Sequence, residues 1–183
     1  MTADELLRLP DDDLWYELVE GRVIRMSPSG SLHAVCANRI EYELTLFVRA
    51  GNLGVVFPQD SGFKLASDPD TVRAPDAAFV SRERIPAEGI PQGYWPGAPD
   101  LAVEVLSPDD TPRRITARIR DYLAHGCRLV WVIDPPRREA TVHRPDGLMS
   151  VLTEDDVLEG DPVLPGFRIP VATIFEDPRV QGP

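Results

Sequence analysis

The segment 100–108, DLAVEVLSP, has the pattern of a strand that is covered on both faces. With a period of two, its first residues fall into two sets: Leu101, Val103 and Val105, and Ala102, Glu104 and Leu106. Both sets are apolar except for one glutamate, which is typical of a central strand that carries a buried carboxylate. Such a carboxylate suffers a desolvation penalty of several kcal/mol unless another group compensates its charge. We therefore expect Glu104 to have a partner.

Apolar residues at helical spacing, together with start and stop residues, predict three helices. The Thr-x-x-Glu pattern near the start of the chain favours a short helix over 3–9 that ends before Pro10. A long helix is predicted over 31–50, where apolar residues recur every three or four positions up to Gly51. A third helix is predicted from about Thr111 to Gly126, with Pro112 in its first turn.

Short apolar segments bounded by turn residues predict the strands. A hairpin that turns at Glu20 and Gly21 is predicted near the start of the chain, and a second over 139–152. Further strands are predicted at 54–59, 62–66, 74–80, 100–106 and 128–135, with a turn at 67–71 and a long loop over 81–99. This order predicts an α/β fold, with a mixed central β-sheet flanked by helices and additional N-terminal and C-terminal β-hairpins.

The length and composition favour one cytoplasmic domain. A chain of 183 residues is long enough for one well-packed core, so we expect a single domain over 1–183. No apolar run approaches the roughly 20 residues of a membrane span, and the first residues lack the pattern of a signal peptide. Cys36 and Cys127 are far apart in sequence and have no metal-ligand spacing, so both are interpreted as core residues.

The charge distribution limits which partners the protein can have. A formal net charge of -11 argues against a protein that coats nucleic acid non-specifically. Between Thr111 and Arg144, however, eight arginines face only three acidic residues. This segment is either a local basic surface or an ordinary solvated helix face and turn.

A second carboxylate lies where it could meet Glu104. In RAPDAAFV, Asp76 follows Pro75 at the start of an apolar strand, where a side chain can reach both the interior and solvent. If the two strands are neighbours, the two acids converge and repel each other unless a proton or a cation lies between them. Hard oxygen ligands suit Mg²⁺ or Mn²⁺. The alternatives are that Asp76 is a turn or cap residue and that Glu104 forms a buried salt bridge to an arginine such as Arg118 or Arg128.

Six segments in order carry a resemblance to a known family. They are YELVEGRVIRMSPSGSLH, GFKL, RAPDAAFV, DLAVEVLSPDD, RDYLAHGCRLVWVIDP and LPGFRIPVATIF. Because of these segments, the chain resembles the Uma-type endonucleases of the PD-(D/E)XK restriction-endonuclease-like superfamily. The resemblance covers residues from about 14 to 175. The resemblance implies a restriction-endonuclease-like fold and a metal-dependent endonuclease that hydrolyses DNA phosphodiester bonds.

The resemblance also implies roles for individual residues. Asp76 and Glu104, with the backbone carbonyl of Val105, would hold Mg²⁺ or Mn²⁺, and the metal would activate a water. Glu17 resembles an additional acidic position of the family. The alternative is that Glu17 is a hairpin residue that faces solvent. His33 matches a family position at the start of the long helix, where a structural role is the alternative.

The chain departs from the superfamily at the basic residue. A lysine is expected two residues after the second acid, but this position is Leu106. Arg118 occupies the place on the following helix to which the Uma-type lysine has moved, and the only lysine of the chain is Lys64. Arginine stays protonated and cannot pass a proton, although it can hold a phosphate in a two-pronged contact. Lys64, on a neighbouring strand, is the other candidate for supplying the positive group to the site. The alternative is that Lys64 has a surface role.

Three hypotheses for function therefore stand. The first is a Mg²⁺-dependent nuclease that acts on DNA. The second is a catalytically impaired nuclease-fold domain that binds nucleic acid or protein, which the arginine at position 118 favours. The third, a small-molecule hydrolase, has no nucleophile motif in its support. We expect no membrane association, and a homodimer is left open because nucleases that cut both strands often pair two sites.

Overall fold

The structure is a computed structural model that describes residues 1–9, 14–177 and 179. Its strands are, in chain order, β1 (Trp15–Val19), β2 (Arg22–Met26), β3 (Gly54–Pro58), β4 (Phe63–Ala66), β5 (Thr71–Arg73), β6 (Ala77–Ser81), β7 (Trp95–Pro96), β8 (Leu101–Val105), β9 (Leu129–Asp134), β10 (Glu139–His143), β11 (Met149–Leu152), β12 (Val157–Glu159) and β13 (Arg168–Pro170). Its helices are α1 (Ala3–Leu7), α2 (Ser31–Gly51), α3 (Pro112–Ala124) and α4 (Val171–Ile174), with a 3₁₀ turn at Arg82–Arg84.

The larger sheet is mixed and has six strands. Their spatial order is β11-β10-β9-β8-β6-β3. The central strands β8 and β9 are parallel, and all other neighbours in this sheet are antiparallel. Helix α3 is the crossover that parallel neighbours require. The predicted mixed central sheet is therefore confirmed, with the strand of Glu104 near its middle.

Two helices cover opposite faces of this sheet. Leu101, Val103 and Val105 pack in one core cluster with the buried residues of α2. Ala102 packs in a second cluster on the other face, with Tyr122 of α3. The alternation read from the sequence is thus confirmed, and Glu104 points towards the face that α3 covers. Cys36 and Cys127 are both buried and free, as predicted for core residues.

A second sheet is formed by five strands from residues 15–96, in the order β2-β1-β5-β4-β7. The predicted hairpin of β1 and β2 turns at Glu20 and Gly21, both at positive φ. Strand β5 pairs with β1 and β4, although the sequence predicted a turn at 67–71 and no strand between 66 and 74. This short strand matters for the site because it ends at Arg73.

The helix ends follow local signals. In α1 the Thr2 hydroxyl accepts a hydrogen bond from the backbone N–H of Glu5, and the Glu5 side chain accepts one from Thr2, but the helix ends at Leu7 rather than Leu9. Pro10, which was predicted to stop it, lies outside the described residues. Strands β12 and β13 and helix α4 were not predicted from the sequence, and neither was β7, which lies in the segment 81–99 that was predicted as a loop. Within the described part of the chain, no helix has both the length and the apolar character needed to cross a membrane.

Candidate active site

Asp76 and Glu104 come together through strand register. Ala77 of β6 lies opposite Val103 of β8, so one residue further along the same register Asp76 stands opposite Glu104. The backbone N–H of Asp76 donates to the carbonyl of Val103 at 2.9 Å. The backbone N–H of Val105 in turn donates to Asp76 Oδ2 at 2.7 Å. The two acids therefore lie side by side where β6 begins and β8 ends.

Glu104 is buried and has an arginine partner. Only 4% of the residue is exposed, and its two carboxylate oxygens accept hydrogen bonds from Nη1 of Arg118 at 3.2 and 3.0 Å. The Tyr122 hydroxyl donates to Glu104 Oε1 at 2.7 Å. Burial raises the pKa of Glu104 to about 7, the charge of Arg118 opposes this increase, and the charge of Asp76 adds to it. Of the two arginines that the sequence offered, Arg118 is the partner.

The second arginine named from the sequence lies elsewhere. Arg128 pairs with Asp100 at 3.2 Å, and Arg84 pairs with the same aspartate at 3.3 Å. Asp100 is 3% exposed and also accepts a hydrogen bond from the backbone N–H of Ser81. Asp100 is thus a buried carboxylate that two partly exposed arginines bind, at the opposite end of β8 from Glu104.

The Asp76 side chain contacts one residue of α2, and its contacts with described residues reach only one of its two oxygens. His33 Nε2 lies 3.3 Å from Asp76 Oδ2, while His33 Nδ1 is buried with no hydrogen-bond partner among the described residues. Burial lowers the pKa of His33, but the hydrogen bond to Asp76 and its charge outweigh this effect and raise that pKa. No described residue donates to Asp76 Oδ1. The contacts of Asp76 with the Val105 N–H and with His33 thus both reach Oδ2.

Glu17 is also in the cluster, but both of its oxygens are bound. Oε2 accepts from Arg73 Nη1 at 2.8 Å and from Arg118 Nη2 at 3.2 Å. Oε1 accepts from the backbone N–H of Ala74 at 3.0 Å. With 1% of the residue exposed, Glu17 does not face solvent as a hairpin residue could have done.

Lys64 lies apart from this cluster. Its ammonium is 3.1 Å from Asp70 Oδ2, and the same oxygen of Asp70 accepts from the backbone N–H of Ala3 at 2.7 Å. Among the residues that the structure describes, no contact joins Lys64 to Asp76 or Glu104. A role for Lys64 in catalysis stays a prediction from the resemblance.

A divalent cation has a limited set of donors here. Asp76, Glu104 and the carbonyl of Val105 could hold one, because Mg²⁺ is commonly bound by one or two carboxylates and keeps several waters. No group of three or more His, Cys, Asp or Glu side chains in the described ranges could hold a metal ion. The donors thus suit an ion that keeps most of its waters, and do not suit a cage built from side chains alone.

Three residues of the cluster were missed in the sequence. Tyr122 was assigned to the apolar stripe of α3, and neither Arg73 nor Asp121 was considered, although Arg73 binds Asp121 at 2.6 Å. Asp121 and Tyr122 follow Arg118 by three and four residues, which places all three on neighbouring parts of one helix surface. That spacing was the available signal for Tyr122 and Asp121. Arg73 precedes Pro75 and Asp76 closely, but nothing in the sequence marks it as buried.

Comparisons with known proteins identify the family and the fold of the chain. The family model Uma2, described as "Putative restriction endonuclease", matches residues 3–172. A crystal structure of a putative nuclease belonging to DUF820 from Anabaena variabilis is 24% identical, covers 96% of this chain and 97% of its own, and superposes with a TM-score of 0.83. No curated protein matches. The structural likeness confirms the predicted fold.

Proposed function

The chain belongs to the Uma2 family of restriction-endonuclease-type proteins, and from this premise we propose that it is an endonuclease that hydrolyses DNA phosphodiester bonds with Mg²⁺ or Mn²⁺. The observation that carries the proposal is the pair Asp76 and Glu104, which lie side by side at the ends of neighbouring strands. The match over 3–172 supports treating residues 1–183 as one nuclease domain.

A bound divalent ion would supply an activated water and neutralise developing charge on the phosphate. Asp76, Glu104 and the Val105 carbonyl would hold it. The residues around these ligands fix their orientation: the Val105 N–H and His33 hold Asp76, and Tyr122 holds Glu104. Orientation by a second layer of hydrogen bonds is typical of metal sites and supports this assignment.

Arg118 supplies a fixed positive charge. Burial lowers the pKa of its guanidinium, but the charges of Glu104 and Glu17 raise it to a larger extent, so Arg118 stays protonated. It therefore stabilises negative charge and does not act as a base. In place of the expected lysine, the chain thus has a group that stabilises charge but cannot pass a proton.

A second candidate has an observation in its favour. Arg118 already donates to both oxygens of Glu104, which is the compensation that a domain without a metal would need. A nuclease-fold domain that binds nucleic acid or protein without cleaving it fits this contact.

Nicking of supercoiled plasmid tests the proposal. Wild type, Glu104→Gln and Arg118→Lys are compared in Mg²⁺, in Mn²⁺ and in EDTA, with Glu88→Gln as the control because Glu88 is an exposed loop residue. We expect metal-dependent nicking by wild type and by the control, and none by Glu104→Gln. If wild type binds the plasmid in a gel-shift assay but nicks it in neither metal, the binding-domain candidate is correct.

A further inference from the structure

Arg118 belongs to a series of four charged side chains joined by ion pairs, which starts and ends on α3 and which we call the ring: Arg118, Glu17, Arg73 and Asp121. It donates to Glu17 on β1, Glu17 accepts from Arg73 on β5, and Arg73 donates to Asp121. Asp121 lies three residues after Arg118 on α3, so the ring begins and ends on the same helix. Strands β1 and β5 are thereby joined to the helix that carries Arg118.

The ring is buried, so its members depend on one another. The side chain of Arg73 is 8% exposed, that of Glu17 is 1% exposed, and those of Arg118 and Asp121 are 12% and 14% exposed. A charge buried to this extent is strongly unfavourable when it loses its partner. Arg73 has two partners in the ring, because Nη1 binds Glu17 while Nε and Nη2 bind Asp121.

The contacts of Glu17 show which groups hold it in place beside Arg118. One oxygen is bound by the N–H of Ala74, directly after β5, and the other is shared by the two arginines. The backbone at the end of β5 and the Arg73 side chain therefore set how Glu17 meets Arg118. A carboxylate with both oxygens bound in this way is held in one orientation and so supports the neighbouring cation.

We propose that Arg73, acting through Glu17 and Asp121, is a positioning residue that aims the Arg118 guanidinium at Glu104 in the active site. The part that concerns catalysis depends on the proposed nuclease function. The ring also gives a reason for arginine at position 118. Separate nitrogens of the guanidinium meet Glu104 and Glu17, whereas a lysine has a single nitrogen for both.

A double-mutant cycle on plasmid nicking in Mg²⁺ tests the catalytic part. Arg73→Gln, Arg118→Gln and the double variant are compared by kcat and KM. We expect Arg73→Gln to lower kcat by about 10- to 100-fold with little change in KM, as loss of a supporting residue does. In the Arg118→Gln background it should lower kcat by less than about 3-fold, because the group through which it acts is absent. An equal loss in both backgrounds, or a change in KM alone, overturns the proposal.

The matched control is Arg84→Gln, which removes an arginine from the buried Asp100 away from the site. It should reduce stability without changing kcat. If Arg73→Gln does not fold, Arg73→Lys is measured in the same way. This variant keeps the charge but has one nitrogen for two acids, so we expect kcat to fall as well. An unchanged kcat in Arg73→Lys would overturn the proposal.

Side-chain NMR of Arg118 separates this inference from the nuclease function. A guanidinium held by two acids rotates slowly and gives separate Nη–H signals. We expect these signals from Arg118 in wild type and in Arg84→Gln, and their loss in Arg73→Gln. If wild type does not cleave DNA, the proposed function fails and the NMR result alone decides whether Arg73 positions Arg118. Unchanged Arg118 signals in Arg73→Gln overturn the inference.

Discussion

Replacing Tyr122 by phenylalanine tests the hydrogen bond that holds Glu104 from the face of α3. The hydroxyl donates to Glu104 Oε1 at 2.7 Å, and Tyr122 is completely buried. Tyr122→Phe keeps the ring and its packing but removes the donor, while Arg118 still binds the carboxylate. The change therefore isolates one hydrogen bond to a buried charged group.

Hydrogen bonds to charged groups contribute about 1.5–3 kcal/mol, so we expect the free energy of unfolding to fall by this amount above pH 7, where Glu104, with a pKa of about 7, is charged. For chains of roughly this length each kcal/mol lowers Tm by about 2–4 °C, which gives a loss of about 3–12 °C by calorimetry. Tyr42→Phe is the matched control, because Tyr42 is also a helix tyrosine but is 59% exposed. If both variants unfold within about 0.5 kcal/mol of wild type, the Tyr122 bond does not stabilise Glu104 as described.

Three further predictions concern the fold and can be checked by urea unfolding. Burial raises the pKa of Glu104 from 4.5 to about 7, so the folded protein holds this proton more tightly than the unfolded chain does. In EDTA, the free energy of unfolding of wild type relative to Glu104→Gln should therefore fall as the pH rises from about 4.5 to 7. The same pH dependence in both proteins would contradict this prediction. Gly54→Ala would place a Cβ 2.1 Å from a backbone oxygen and should lose about 3 kcal/mol or more. The control for this change is Gly30→Ala, whose added Cβ has no heavy atom within 4 Å and which should change stability by about 1 kcal/mol or less. Phe167→Ala should lose about 3–5 kcal/mol and alter the near-ultraviolet signal of Trp131, which it stacks against at 5.7 Å; an unchanged signal would show that the two rings do not interact.

The sheet that holds the acids could be predicted because its pattern is strong. The period of two in 100–106 identified the two faces of β8, and Pro75 fixed Asp76 at a strand start. Placing Asp76 opposite Glu104 needed the pairing of β6 with β8, which sequence alone left conditional. The resemblance in motif order supplied what local pattern could not.

The ring around Arg118 could not be predicted because it depends on long-range contacts. Glu17 and Arg73 are far apart in sequence, and they meet only because the three-residue strand β5 pairs with β1. So short a strand has too few residues to show a period, and its neighbours favoured a turn. Tyr122 fits an apolar helix stripe equally well whether or not its hydroxyl has a partner, so the pattern assigned its ring and missed its donor.

Crystals soaked in Mn²⁺ test the central claim most directly, because the anomalous signal of the metal locates it without reference to activity. We predict one anomalous peak that lies about 2.0–2.6 Å from oxygens of both Asp76 and Glu104, the usual range for divalent ions, and that disappears in Asp76→Asn. A peak elsewhere, or a well-ordered site with no peak while Arg118 remains on both oxygens of Glu104, would contradict the proposed metal-dependent nuclease.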